Sequence, residues 1–351
     1  MILQPGVAVP TGATYLAAAP ENVLWGRLPC AADAAVLALD PGDEATIDTI
    51  SHEGILEDQG RDPRAFFGAQ GAADVLEDAV ALAASDHPRT WGVDGPHVVT
   101  GPIEVRGAKP GDLLAIRVLE TLPRVPYGVV SNRHGRGALP GEYPLDGDVF
   151  SVFATVDAQG RGRIPLTPGS EASVRFDLAP FLGIMGVAVA GDARPHSVPP
   201  GPFGGNIDIN LLTVGSTLYL PVQVAGALAY VGDPHFAQGD GEVALTAMEA
   251  SLRVRLAFDV IAREEAVAAF GELAGPLAET AEHLIPTGLD EDLDVAVQNC
   301  VRAAIALLQA RFGMDPRHAY AYLSAATDFD ISQVVDLVKG VHARIRKADF
   351  G

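Results

Sequence analysis

Residues 251–261, SLRVRLAFDVI, alternate without interruption. Leu252, Val254, Leu256, Phe258 and Val260 fall on one face of an extended chain, and Arg253 and Arg255 on the other. A period of two held this long specifies a strand, and its polar face specifies an antiparallel sheet with one wet side. Other segments repeat the theme. LLAIRVLET (113–121) alternates Leu114, Ile116 and Val118 behind the turn Pro110-Gly111-Asp112. A second such turn, Pro41-Gly42-Asp43, separates VLALD from ATIDTIS in what reads as a hairpin over 34–51. Two PGD turns ahead of strands hint at a repeated building block. VFSVFATVD, GRIPL and ASVRFDL read as strands, followed by the apolar, glycine-containing segment 181–190. LYLPVQVAGALAYV, from Leu218, reads as two more, with Pro221 marking an edge or a bulge.

Helical spacing appears in two places. In GAADVLEDAVALAA (71–84), Val75, Ala79, Val80 and Ala83 form one stripe. From Glu291 onward, Leu293, Val297, Cys300, Ala304 and Leu308 form another; Gly313 ends that helix, and Asp315 caps a second one with Pro316 at its first position. The 38 glycines and 26 prolines among 351 residues favour turns and short strands over long helices. The expected class is therefore α+β and β-rich, with antiparallel sheets in a barrel- or sandwich-like arrangement and helices concentrated in the C-terminal third. No linker composition marks a boundary. Residues 1–351 are expected to form a single unit, with room for two interlocked β-rich subdomains at about 1–190 and 191–351.

The balance of 24 basic against 45 acidic residues gives a net charge of −21. Such a surface repels nucleic acid and anionic membranes, so neither is an expected partner. No apolar run approaches the length of a membrane span. The first dozen residues lack a basic stretch followed by an apolar core, and Cys30 and Cys300 build neither a disulfide framework nor a CxxC site. A reducing, cytoplasmic location is expected.

The densest chemistry lies in 199–249, PPGPFGGNIDINLLTVGSTLYLPVQVAGALAYVGDPHFAQGDGEVALTAME. If Asn206-Ile207-Asp208-Ile209-Asn210 is extended, the isoleucines anchor in a core while Asp208 faces a cavity. Gly204-Gly205 ahead of it permits close approach of backbone or ligand. Asp233 and His235 share a face of an extended chain, as do Asp240 and Glu242. A histidine among oxygen donors suits Zn²⁺ or another divalent ion such as Ca²⁺. The same spacings also fit a solvated edge strand and a turn-rich connection whose aspartates cap their own backbone. Two more segments place a histidine beside carboxylates at a strand end: SHEGILEDQG (51–60), with His52 and Glu53, and DGPH (94–97), with His97. For a nucleophile the sequence offers little. Cys300 lies on an apolar helical stripe, Cys30 has no activating neighbour beyond Arg27, and neither a GxSxG elbow nor the paired serines of a Ser-Ser-Lys amidase occur. Water, activated by a metal ion or a carboxylate, remains.

Several segments, in order, resemble the acetamidase/formamidase family: VVTGPIEVRGAKPGDLLAIRV (98–118), PFLGIMGVA (180–188), the long run 199–243, and LSAATDFDISQVVD (323–336), with SHEGILEDQG similar to a subset of members. Lys109 stands where the family pattern carries an acidic residue. The resemblance runs from about residue 30 to the end. It implies a β-rich α+β fold, hydrolysis of short amides to carboxylate and ammonia, a bound divalent metal in at least some members, and a homo-oligomer, expected as a dimer. Relatives that open cyclic amides look similar too. The expected site brings His52, His97, Asp208 and His235 to one pocket, a subset of them holding a divalent metal, Zn²⁺ ahead of Ca²⁺. Glu242 or Glu53 would be the base for attacking water, and the Gly204 and Gly205 amides the donors to an oxyanion.

Overall fold

The structure is a computed structural model that describes residues 2–351. The alternating segment becomes the strand Leu252–Ile261 near one end of a nine-stranded sheet. Leu252, Val254, Leu256 and Phe258 are fully buried, as the pattern requires. The sheet runs, in order, Tyr15–Leu16, Glu44–Asp48, Leu252–Ile261, Leu113–Pro123, Thr217–Pro221, Leu277–Glu279, His283–Asp290, Lys339–Arg346 and Asp328–Gln333. A second, 11-stranded sheet includes Tyr127–Arg133, Met248–Glu249, Ala229–Ala237, Phe181–Val187 and Gly204–Asn206, with Val98–Val105 joined to Ala229–Ala237. Among the described residues, pairing between these strands is antiparallel except for two short parallel contacts, Tyr15–Leu16 with Glu44–Asp48 and Leu37–Leu39 with Val98–Val105. One apolar core draws on both sheets: Ile47, Ile116 and Val254 from the first meet Val98, Met185 and Val231 from the second. The arrangement is a sandwich, not a closed barrel. Leu293–Phe312 and Pro316–Ala326 cover the other side of the first sheet through Leu307, Leu308, Leu323, Leu277 and Leu284.

The two PGD turns do the same job. Each ends a strand of the second sheet and starts one of the first, carrying Leu37–Leu39 to Glu44–Asp48 and Val98–Val105 to Leu113–Pro123. In each, the aspartate carboxylate accepts the backbone N–H three residues earlier, Asp43 from Asp40 and Asp112 from Lys109, both at 2.9 Å. The building block is real, but residues 34–51 are not a hairpin, because their two strands lie in different sheets. LYLPVQVAGALAYV divides likewise, Thr217–Pro221 in the first sheet and Ala229–Ala237 in the second. Pro221 closes its strand and so disturbs little of the ladder.

The 71–84 helix is shorter than its stripe suggests, Glu77–Ala84: the chain turns at Gly71, φ +85°, and is still extended at Leu76. Before it comes a helix the periodicity does not signal, Pro63–Gly68, capped by the Asp62 carboxylate with Pro63 at its start. The expected wet face of Leu252–Ile261 is dry at Arg253, which is 3% exposed. Its guanidinium meets Asp48 at 2.6 and 2.9 Å. Asp48 also accepts from the Tyr15 hydroxyl at 2.6 Å, while its carbonyl takes the Thr100 hydroxyl at 2.8 Å. Fully buried Arg124 lies 3.5 Å from Asp48 and 2.8 Å from Asp78. This network clamps the chain four residues before His52.

Candidate functional site

Seven segments deliver acidic and imidazole side chains to one place between the sheets. Asp233 and His235 come from Ala229–Ala237, and Glu249 from Met248–Glu249, where it pairs directly opposite His235. His52 and Glu53 follow Glu44–Asp48, and His97 immediately precedes Val98–Val105. Asp208 follows Gly204–Asn206, Glu242 lies in the loop after Ala237, and Asp336 follows Asp328–Gln333. All nine side chains are buried. The four expected ligands, His52, His97, Asp208 and His235, thus lie in the same neighbourhood, with both expected bases, Glu53 and Glu242. Sequence reasoning missed Glu249 and Asp336, and it noted Asp233 as an oxygen donor beside His235 without assigning it to the expected site. Glu249 closes the dense segment 199–249 and Asp336 the C-terminal motif 323–336, and that placement was the signal available for both.

The backbone bends to achieve this. Asp208, Asp233, Glu242 and Asp336 have φ of +47°, +49°, +46° and +65°, four of the ten non-glycine residues with positive φ among the described residues. Left-handed backbone costs of order 1 kcal/mol for such residues and clusters where function demands it. Residues 206–210 are therefore not extended: the chain turns at Asp208, and the backbone N–H groups of Ile207 and Asp208 both donate to the Gly183 carbonyl, at 3.1 and 3.2 Å. Ile207 and Ile209 still anchor in the core. Asp240 and Glu242 part company, Asp240 exposed and Glu242 buried. Gln238 fastens the loop, donating to the Asp208 and Ser332 carbonyls at 2.9 and 3.2 Å and meeting His235 Nδ1 at 3.1 Å.

The expected oxyanion donors do not reach the cluster. The Gly204 N–H donates to the Gly201 carbonyl at 3.0 Å. Gly205 packs toward Phe203 and Leu28. Their positive φ serves the tight turn from 201 to 206, not the cluster. The glycine that matters here is Gly183. A β-carbon on it would stand 2.5 Å from Asp208 Oδ1, 2.7 Å from Asp233 Oδ2 and 2.7 Å from His235 Cε1.

Within the cluster, His235 Nε2 lies 3.0 Å from Asp233 Oδ2 and 3.1 Å from Glu249 Oε1. His52 Nδ1 stands 3.4 Å from Asp233 Oδ1 and its Nε2 3.3 Å from Glu53 Oε1. His97 Nε2 is 3.9 Å from Asp233 Oδ1, while its Nδ1 meets the Ser197 hydroxyl at 3.1 Å. Several buried polar atoms have no hydrogen-bond partner: His52 Nδ1, Asp233 Oδ1, both Asp208 oxygens and Glu249 Oε2. The His52–Asp233 approach is short enough for an ion pair but poorly aligned for a hydrogen bond, which is why both atoms remain unpartnered. Orphaned carboxylate oxygens in a dry interior are costly unless a cation meets them. Ligands at about 2.1 Å around a tetrahedral ion stand about 3.4 Å apart, the spacing of these two atoms. Three overlapping groups meet the spacing of a metal site: His52, His97 and Asp233; Asp208, His235 and Glu242; and Asp233, His235 and Glu249.

Charge follows the same logic. Burial raises Asp208 and Glu242 well above the usual carboxylate range, and each is raised further by the other acids, Glu242 and Asp336 acting on Asp208, Asp336 and Glu249 acting on Glu242. Burial, then Asp233, pushes Asp336 up to about 7. Burial alone would lower His52, but the neighbouring Asp233 and Glu53 carboxylates win and raise it to about 10. Burial holds His97 down near 4 against Asp233. Glu53 differs: burial would raise it, yet His52, Arg133 and the Ser131 hydroxyl, 2.6 Å away, lower it to about 2. Gln59 donates to it as well.

The model of the Acetamidase/Formamidase family matches residues 74–196 and 189–345. The formamidase of Methylophilus methylotrophus is 30% identical over 192 residues, covering 42% of this chain and 47% of that protein. The acetamidase of Mycolicibacterium smegmatis is 29% identical over 199 residues, 42% of this chain and 49% of that one. The chain thus aligns with about half the length of these curated relatives. The crystal structure of an acetamidase from Bacillus halodurans superposes with a TM-score of 0.73 over 96% of this chain and 98% of that one, at 24% identity, a likeness of fold. With the family model spanning most of its length, this chain belongs to the Acetamidase/Formamidase family.

Proposed function

We propose that this protein hydrolyses a small amide, such as formamide or acetamide, to ammonia and a carboxylate, using water activated by a divalent cation and a carboxylate base. One observation carries the reading: three buried imidazoles and six buried carboxylates converge with oxygens left unpartnered, in a chain whose relatives are named formamidase and acetamidase. His52, His97 and Asp233 would hold the ion, with His235, Asp208 and Glu249 alongside; the imidazoles favour Zn²⁺ over Ca²⁺. Such an ion supplies a polarised amide carbonyl and a more acidic water.

The chain's own groups do the rest. Glu242, kept basic by burial and by its acidic neighbours, takes the proton from water as it attacks and passes it to the departing amine. Glu53 stays ionised and its oxygens are occupied by Ser131, Gln59 and His52. It orients His52 and leaves the role of base to Glu242. Residues 1–351 act as one catalytic unit in this reading, since His52, Glu53 and His97 precede residue 190 and the remaining cluster residues follow it.

The test is ammonia release from formamide, acetamide, larger amides and a γ-lactam, before and after chelation. Release that chelation abolishes and a divalent ion restores supports the reading; release indifferent to chelation removes the ion from it, and no release from any substrate sinks it. The panel also separates acyclic from cyclic amides. We further propose a homodimer, checked by light scattering in solution, and a reducing cytoplasm, in keeping with free, buried Cys30 and Cys300. No helix among the described residues is long and apolar enough to cross a membrane.

A further inference from the structure

The loop that carries Glu242 also carries Asp240, which points away from the catalytic cluster. It meets Asp330 of the strand Asp328–Gln333 and His342 of its partner Lys339–Arg346. One donor atom from each of the three lies within 4.8 Å of the others, and none of the three belongs to the cluster described above. Two carboxylates near a histidine would mean little alone. The independent observation is His342 itself. It is fully buried, and its Nε2 has no hydrogen-bond partner. The ring is held by its other nitrogen, Nδ1, 2.8 Å from the Ser332 hydroxyl. If Nδ1–H donates there, Nε2 presents a lone pair toward the two carboxylates. That is how ligating histidines are commonly oriented.

Nε2 is 4.0 Å from Asp330 Oδ2, too far for a hydrogen bond. The carboxylates are held as well. Arg344 Nε donates to Asp330 Oδ2 at 2.6 Å, and Asn210 Nδ2 to Asp240 Oδ1 at 3.0 Å. Each carboxylate keeps its second oxygen free of these bonds.

We infer that Asp240, Asp330 and His342 form a second divalent-cation site, separate from the catalytic cluster. One imidazole with two carboxylates suits a borderline transition ion such as Zn²⁺, Co²⁺ or Mn²⁺; Mg²⁺ and Ca²⁺ prefer all-oxygen shells. The site ties the 238–242 loop to the C-terminal strand pair. Backbone bonds already run that way, Gly241 N–H to the Ser332 carbonyl at 3.1 Å and Val334 N–H to the Gly241 carbonyl at 2.9 Å. A cation there fastens the loop at its outer end while Gln238 fastens it inside.

The experiment strips the full chain with chelator, re-equilibrates it with micromolar Co²⁺ or Zn²⁺, and counts bound ions per chain by mass spectrometry. It compares wild type with His342→Ala, Asp330→Asn and Asp240→Ala, and with Asp208→Asn as a control in the catalytic cluster. Loss of one ion per chain in each of the first three variants is expected, with the corresponding Co²⁺ absorption band gone. Asp208→Asn should keep that band. Asp240 is exposed, so its variant folds even where His342→Ala does not. Wild-type ion content and an unchanged Co²⁺ spectrum in Asp240→Ala and Asp330→Asn would overturn the inference, whatever the outcome of the amide assay.

Discussion

Gly183→Ala adds one methyl group to the centre of the carboxylate–imidazole cluster. The backbone tolerates it, since Gly183 lies within the strand Phe181–Val187 and does not have positive φ. The methyl would meet Asp208 Oδ1 at 2.5 Å, Asp233 Oδ2 at 2.7 Å and His235 Cε1 at 2.7 Å, where ordinary contact begins at 3.4 Å. Each neighbour must therefore retreat by about 0.7 to 0.9 Å, and all three are fixed by the strands and turns that carry them. Overpacking of this kind costs about 1–3 kcal/mol of stability, which a chain of this size survives. Displacing catalytic groups by nearly 1 Å costs turnover on the order of 100-fold. The expected result is a folded protein with native far-UV circular dichroism, a modest fall in denaturant midpoint, and kcat/KM for amide hydrolysis down about 100-fold after reloading with divalent ion. A Gly183→Ala protein working within a factor of about two of wild type, with full ion content, would refute the placement of the reaction at this cluster.

Glu242→Gln keeps the shape of the side chain and removes the proposed base; kcat should fall by about 10²–10⁴-fold with the fold intact, and near-normal turnover would pass the role to another group. Asp48→Ala strips Arg253 of its carboxylate partner and Arg124 of one of two, so urea unfolding should show a loss of about 3–5 kcal/mol; a loss below about 1 kcal/mol would mean the network contributes little. Stability of the ion-free protein should fall as pH rises from about 4 to 7, because Asp336 moves from 3.8 to about 7 on burial and the folded state then binds the extra proton. Asp336→Asn should flatten that slope and added divalent ion should reverse it; an unchanged profile in Asp336→Asn would place the titration elsewhere.

Local signals in the sequence were legible where one segment decides its own structure. The alternation of 251–261, the PGD turns, and the Gly313 and Asp315 caps all form as their residues dictate. What one segment cannot encode is which sheet it joins. Residues 34–51 contain a good turn and two good strands, yet the turn carries the chain between layers instead of folding a hairpin. Arg253 alternates as a solvent-facing residue should, and is buried because Asp48, some two hundred residues away, waits for it. The same limit governs the site. Spacing singled out His52, His97, Asp208, His235 and Glu242, which the fold buries in one neighbourhood, but it gives faces and not distances. It paired Asp240 with Glu242, which the left-handed turn at Glu242 sends apart, and it passed over Glu249 and Asp336, the one alone at the end of the dense segment and the other at the end of the C-terminal motif. The Gly204-Gly205 pair was legible as a close approach, but to the backbone at Met185 and Gly201, not to a ligand.

The left-handed backbone at Asp208, Asp233, Glu242 and Asp336 bears on how this sequence can drift. At Asp208, Glu242 and Asp336 glycine would relieve backbone strain and, by removing a buried acid held above its usual range, also relieve repulsion among those that remain, whereas Asp233 is held ionised by His97, His235 and His52 and its loss would strand them. Asp208→Gly or Asp336→Gly should therefore give an ion-free protein that melts higher than the parent while losing its reaction. Stability and chemistry pull in opposite directions at these three positions. A lineage that no longer needed the reaction would slide toward glycine or asparagine there within a sound fold. Acids kept at all three of these left-handed positions are then a mark, readable without an assay, of a chain still selected for what its cluster does.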